Sequence, residues 1–170
     1  MGAAEALQAL MGKRILVLDG AWGTMLQQSG LDDADYRGAR FADHPHELAG
    51  DPDLLNLTSP ELVSRIHRAY LAAGADVTTT NTFTATRIGQ ADYRLEHAVY
   101  DLNVEGARLA RAACDEIGTS ERPRYAAGAV GPLNVTLSIS ARVDDPSFRS
   151  ATFDEVRDAY AEQIHGLVDG

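Results

Sequence analysis

Three short polar runs hold the residues best suited to chemistry, and each follows an apolar, β-type segment. The first is Asp19-Gly20-Ala21-Trp22-Gly23-Thr24, directly after Arg14-Ile15-Leu16-Val17-Leu18. A carboxylate there can accept hydrogen bonds from a bound amine, and the glycines let a ligand approach the backbone. The same run also reads as a tight strand-to-helix turn with Asp19 as its cap. The second is Thr79-Thr80-Asn81-Thr82-Phe83, in which Asn81 offers both a donor and an acceptor. Its plainer reading is a β-branched strand followed by a polar cap. The third is Gly128-Ala129-Val130-Gly131-Pro132, whose glycines either leave room for a ligand or allow close strand packing.

Other reactive residue types are scattered. His44 and His46 share a loop but have no third metal ligand near them in sequence. His67, His97 and His165 fall on expected helices and read as surface residues. Cys114 is the only cysteine. It lies mid-helix beside Ala112 and Ala113, where a buried, unreactive thiol is expected. The glycines of residues 20–23 do not fit the dinucleotide fingerprint, and there is no phosphate-binding P-loop.

The elements that must position these runs alternate in type. Residues 4–11 read as a leading helix. Strands are expected at 14–18, 53–58, 76–80 and 124–130. After Asp19-Gly20-Ala21-Trp22-Gly23-Thr24 a helix should continue to about Gln28, with Gly30 as its stop. Ser59-Pro60-Glu61 is a strong helix start, and Leu62, Ile66, Ala69 and Tyr70 recur on one face before Gly74. A long helix is expected over 92–117, its buried face formed by Leu95, Val99, Leu102, Leu109, Ala113 and Ile117. Thr152-Phe153-Asp154-Glu155 reads as a capping box opening a last helix with Val156, Tyr160, Ile164, Leu167 and Val168 on its apolar side. The expected fold is therefore α/β, with a parallel sheet built from four βα units. Four such units are half of a (βα)8 TIM barrel, which takes about 250 residues. In that fold chemistry sits where strands end, and all three polar runs lie there.

Composition narrows the partners. The chain has 170 residues, 45% of them hydrophobic, enough for a sizeable core. Its 15 basic and 25 acidic residues give a formal net charge of -10. That argues against nucleic acid and against an anionic membrane surface. A single cysteine excludes an internal disulfide and fits a cytoplasmic location. No run approaches the roughly 18 apolar residues of a membrane span.

Together the motifs resemble a known family. DGAWGTMLQ (19–27), DLLNLTSPELV (53–63), AYLAAGADV (69–77), TNTF (80–83), ADYRLE (91–96), GAVGPLN (128–134) and DDPSFR (144–149) are similar to the N-terminal homocysteine-binding domains of cobalamin-dependent methionine synthases, within the homocysteine S-methyltransferases. The resemblance runs from about Arg14 to Gly170, and ADYRLE and DPSFR favour the methionine synthase branch over its betaine-dependent relatives. It implies a (βα)8 barrel of which residues 1–170 are the N-terminal half, with homocysteine bound at the C-terminal strand ends. It implies Asp19 beside the homocysteine amine, Gly20 and Ala21 as backbone next to the ligand, Asn81 and Thr82 as the polar group after the third expected strand, and Gly131 after the fourth. It also implies a zinc ion on three cysteine thiolates, methylcobalamin as methyl donor, and folate- and cobalamin-binding domains as partners. The three cysteines have no counterpart among these 170 residues, and Cys114 is single and helical. Trp22, Thr79, Leu133, Val135 and Ala141-Arg142 also depart from the family pattern; many members carry glutamate at the Thr79 position. The chain alone is accordingly expected to be inactive, with unpaired barrel edges that favour self-association. An amino-acid-binding half-barrel without catalysis, or an unrelated α/β enzyme using Asp19 as base, are the competing expectations.

Overall fold

A computed structural model describes residues 2–170, with the side chain of Ala3 left aside. Helix α1 (Ala3–Met11) leads into an extended run that touches the sheet through one parallel bridge, Leu18 to Val77. Short helices α2 (Trp22–Gln27) and α3 (Asp33–Arg37) follow, then a 3-10 turn (Pro52–Leu54) continuous with α4 (Leu55–Thr58). Helix α5 (Pro60–Ala73) precedes β1 (Val77–Thr79). After α6 (Arg87–Gln90) and two 3-10 turns come the long α7 (Val99–Ile117), β2 (Tyr125–Ala127) and α8 (Phe153–Asp169). Strands β1 and β2 are parallel, with Val77 opposite Tyr125 and Thr79 opposite Ala127. The sheet order is thus first run, β1, β2, every neighbour parallel, which is what βα units produce.

One expected strand is a helix. Residues 53–58 form the end of the 3-10 turn and α4, leaving three parallel strand segments in place of four. A short apolar run cannot by itself separate a buried strand from a buried helix. Pro52 decides the matter, because it stands at the first helical position, where proline fits and its missing N–H costs nothing. Asp53, Leu54, Leu55 and Asn56 are consecutively buried, which removes the alternation a half-exposed strand would show.

Helix boundaries follow the local signals. Gly74 ends α5 in the left-handed conformation at φ 115°. Thr152 caps α8 as a full capping box: its hydroxyl accepts from Glu155 N, and its N–H donates to the Glu155 carboxylate at 2.7 Å. Ser59 precedes α5 but makes no side-chain cap bond. The start expected at 92 is delayed to Val99 by the turns Ala91–Tyr93 and Glu96–Ala98, with Arg94 left-handed between them.

Helix α7 is the centre of the packing, with α5 on one side and α8 on the other. Leu95, Val99, Leu102 and Ala113 are buried as the periodicity required. The buried face of α8 is different from the expected one. Ala159, Gln163 and Gly166 face inward, while Ile164 and Val168 are exposed. The cause is close approach: a Cβ on Gly166 would stand 2.8 Å from Asn103 Cβ and 3.0 Å from the Tyr100 carbonyl. Small residues on α8 therefore face α7, and the branched ones are turned outward.

At the N-terminal end of the strands, Asp76 joins the three segments. Its carboxylate receives Arg14 through two hydrogen bonds of 2.7 and 2.8 Å and the Val17 amide at 3.0 Å, and lies 3.3 Å from Arg124. The hydrogen bond and charge of Arg14, with the Val17 N–H, hold this carboxyl well below the usual range. The opposite, C-terminal end of the strands is thereby left free for other work.

Candidate functional site

All three polar runs emerge at that C-terminal end. The Asp19 N–H donates to the Val77 carbonyl at 2.9 Å, which sets the side chain of Asp19 across the end of β1. There it is 9% exposed and collects four donors. Oδ2 accepts from Thr78 Oγ1 at 2.6 Å, Thr79 N at 2.9 Å and Trp22 Nε1 at 3.3 Å. Among the described residues Oδ1 accepts only from Thr79 Oγ1, at 2.9 Å. A carboxylate oxygen has two lone pairs, so Oδ2 is saturated and Oδ1 keeps an acceptor direction for a ligand.

Gly20 and Ala21 continue from Asp19 on the surface. Ala21 is left-handed, at φ 52° and ψ 36°, and its conformation starts α2 so that Trp22 turns back onto Asp19. A non-glycine residue in this region costs roughly 1 kcal/mol or more.

Asn81 is buried and tied inward. Its Nδ2 donates to the Pro52 carbonyl at 2.6 Å and lies 3.3 Å from Asn56 Oδ1, while Asn56 Nδ2 donates to the Asn81 carbonyl at 2.7 Å. Asn81 Oδ1 takes no hydrogen bond among the described residues. Helix α4, mistaken for a strand in the sequence, is therefore what orients this amide.

The Thr82 hydroxyl is committed internally. Ala129 N–H donates to Thr80 Oγ1 at 2.8 Å, the Thr80 hydroxyl reaches Thr82 Oγ1 at 2.6 Å, and Thr82 donates to the Ala129 carbonyl at 2.9 Å. This closed ring ties the end of β1 to the end of β2. Gln163 of α8 donates to the Thr82 carbonyl at 2.7 Å. Gly131 lies against the neighbouring strand end: a Cβ there would collide with the Phe83 carbonyl and stand 2.9 Å from the Phe83 ring. Its own carbonyl accepts from Tyr160 at 2.9 Å. The fold thus brings Asp19 to the end of β1, beside the segment that carries Asn81 and Thr82, and Gly131 to Phe83 of that segment.

Several site residues escaped the sequence reading. His67 is completely buried, not on the surface. Leu62 and Ile66 of the expected stripe are buried, but so are Val63, His67 and Leu71, four apart, so the inner face of α5 is wider than the stripe and takes in His67. That spacing was visible and would have placed His67 inside. Burial pushes its pKa down to about 4.

Asp51 and Asp53 form a second buried polar group behind Asn81, at the start of the segment expected as a strand over 53–58. Asp53 Oδ2 accepts from Thr84 N at 2.7 Å and Thr84 Oγ1 at 2.6 Å, and Asp51 Oδ1 from Gln90 Nε2 at 3.1 Å. Their other oxygens have no partner among the described residues. Burial, and for Asp53 the charge of Asp51, raise the carboxyl pKa values to about 7 for Asp53 and about 6 for Asp51.

The zinc implied by the resemblance does not fit these residues. Among the described residues no three His, Cys, Asp or Glu side chains are grouped to hold a metal. Cys114 is buried on α7, and burial raises its thiol to about 11, the wrong direction for a thiolate ligand. No described helix is long and apolar enough to cross a membrane.

An α/β fold with parallel strands and a polar cluster at their C-terminal ends is the arrangement of barrel-type enzymes. The family profile for homocysteine S-methyltransferase matches residues 16–170, and the chain belongs to that family. Among solved structures it is similar to the homocysteine methyltransferase MmuM from Escherichia coli. To the metallated form it has 25% identity and a TM-score of 0.68, covering 96% of this chain and 53% of that one. To the oxidized form it has 26% identity and the same TM-score, covering 96% and 52%. The chain therefore spans about half the length of the solved relatives it matches.

Proposed function

We propose that residues 1–170 form the first half of a homocysteine-binding barrel of the methionine synthase type, and that the ammonium group of homocysteine docks on Asp19. The observation that supports this reading is the asymmetry of Asp19: Oδ2 is filled by three protein donors, whereas Oδ1 takes one. An ammonium ion has three donors and no acceptor, so it suits an acceptor edge in a partly dry site. Asn81 Oδ1 is a second acceptor beyond β1, while Gly20 and Ala21 give the ligand access along exposed backbone. Thr82 and Gly131 act by fixing the ends of β1 and β2 in register.

In this reading methyl transfer requires a homocysteine thiolate, which a bound zinc ion would favour by lowering the thiol's pKa. Residues 1–170 do not supply the three cysteine ligands, and their part is to hold the amino acid. Methylcobalamin as donor, methyltetrahydrofolate as the ultimate methyl source, and folate- and cobalamin-binding domains as partners belong to this reading through the resemblance to methionine synthases, which ADYRLE and DPSFR favour over the betaine-dependent relatives. By itself the chain binds homocysteine and does not turn it over.

Calorimetry of the chain with L-homocysteine tests the reading. Binding that is weakened when the amine is acetylated supports it. Equal binding of the acetylated compound overturns the role of Asp19, and methyl transfer by the isolated chain overturns its inactivity.

A second reading has its own observation. Ile15 is 89% exposed, and Val17 and Leu18 are more than half exposed, although they lie on the first strand segment. Such an apolar edge favours self-association of the chain. Sedimentation analysis across a concentration series separates a monomer from an associating species.

A further inference from the structure

His67 has no exposed surface, yet its imidazole is polar on both nitrogens. Nδ1 lies 2.8 Å from Thr78 Oγ1, and that oxygen lies 2.6 Å from Asp19 Oδ2. Oδ2 also receives the Thr79 amide and the Trp22 indole, both obligate donors, so it acts as an acceptor with no proton of its own. The single Thr78 hydroxyl proton must then point at Asp19. The Thr78 oxygen is left to accept from His67, which requires the hydrogen on Nδ1. Burial holds the ring neutral at physiological pH, so Nε2 is bare, and it is buried without a partner among the described residues. Trp22 closes the group, meeting His67 edge-on with ring centroids 4.6 Å apart.

The opposite tautomer would reverse the chain of hydrogen bonds. With the hydrogen on Nε2, Nδ1 would take the Thr78 proton, and Asp19 would lose its shortest contact. The orientation of Asp19 is therefore coupled to the tautomer of a residue two hydrogen bonds away.

We propose that His67 is a positioning residue for the ligand's ammonium group: through Thr78 it clamps Asp19 Oδ2 inward, so that Oδ1 is the edge presented to the ligand. The inference rests on the reading of Asp19 as the amine acceptor. Because the relay is neutral, it orients the carboxylate without adding a positive charge that would compete with the ammonium.

The test uses the 15N-labelled 170-residue chain. Two-bond 1H–15N correlations of the histidine rings should show one neutral ring protonated on Nδ1, lost from the spectrum in His67→Gln. An Nε2–H tautomer, or a charged ring at neutral pH, overturns the proposal on the unmodified chain. His67→Phe keeps a ring of similar size and removes the donor. It should shift the Trp22 indole and Thr79 amide resonances and weaken L-homocysteine binding by about tenfold, the worth of one hydrogen bond to a charged group. His67→Gln, whose amide can donate to Thr78, should recover most of both. Unchanged resonances and affinity in a folded His67→Phe chain refute the positioning role. Absence of homocysteine binding by the unmodified chain instead refutes the amine reading of Asp19, while the resonances still decide whether His67 orients that carboxylate.

Discussion

The carboxylate of Asp19 and the hydroxyl of Thr78 meet at 2.6 Å between the first strand segment and β1. Neither residue is near the other in sequence, and the contact exists only because Leu18 is bridged in parallel to Val77. The bond converts a strand-end acid into a fixed acceptor. Replacing Asp19 by asparagine keeps the volume but supplies an NH2 group to a set of four donors. The expected outcome is a loss of at least tenfold in homocysteine affinity and about 1–3 kcal/mol of stability. Calorimetry and urea unfolding of Asp19→Asn measure the two effects separately.

The sequence exposes this site unevenly. Asp19, Asn81 and Gly131 stand at strand ends, where polar residues following apolar runs are conspicuous. The donors that organise Asp19 are hidden, because Thr78 and Thr79 look like any β-branched strand residues, and only the pairing of strands reveals their partner. The helix at 55–58 was lost because four consecutive buried positions carry no period. The inward turn of α8 depends on Gly166 fitting against Asn103, a tertiary demand that overrode the placement of Ile164 and Val168. The Asp51–Asp53 pair was hidden for another reason: acids at the start of an apolar run normally signal solvent, and here both are covered.

That pair and His67 give stability two opposing pH dependences. Asp53 has its pKa raised to about 7, so the folded chain binds more protons than the unfolded one between pH 4 and 7, and stability falls as pH rises through that window. His67 has its pKa lowered to about 4, so the unfolded chain binds more protons between about 6.5 and 4, and stability falls as pH drops. The two slopes offset each other. Asp53→Asn keeps an oxygen acceptor for Thr84 and removes the Asp53 part of the first slope, leaving the smaller part from Asp51. It should raise stability at pH 8, by about 2 kcal/mol, and leave a steeper loss on acidification from pH 6.5 to 4. Urea denaturation midpoints at pH 4.5, 6 and 8 check both signs.

Asp76 acts at the other end of the strands. Its pKa is depressed, chiefly by the hydrogen bond from Arg14, so its contribution is present above the unfolded value near 4 and is lost as pH falls below that. Asp76→Asn leaves Arg14 and the largely buried Arg124 without their anion. A loss of about 2–4 kcal/mol at pH 7 is expected, shrinking toward acid. Thermal or urea unfolding at pH 7 and pH 3 measures it, and an equal loss at both values would show that packing, not charge, is what Asp76 provides.

Ala21 gives a prediction of the opposite sign. It is one of two non-glycine residues with positive φ among the described residues, and it sits between Asp19 and Trp22. The left-handed conformation pushes Cβ toward the following carbonyl, a strain that glycine does not feel. Glycine also has more freedom to lose on folding, which returns part of the gain. Ala21→Gly should therefore stabilise the chain by about 0.5–1 kcal/mol, since the native φ of 52° suits glycine without rearrangement. Its effect on binding should be smaller than its effect on stability if Trp22 still reaches Asp19. The Trp22 indole resonance and the urea midpoint of the variant, read together, decide this. A stabilised chain with a displaced indole would mean that the strained alanine is kept to aim Trp22 at the carboxylate.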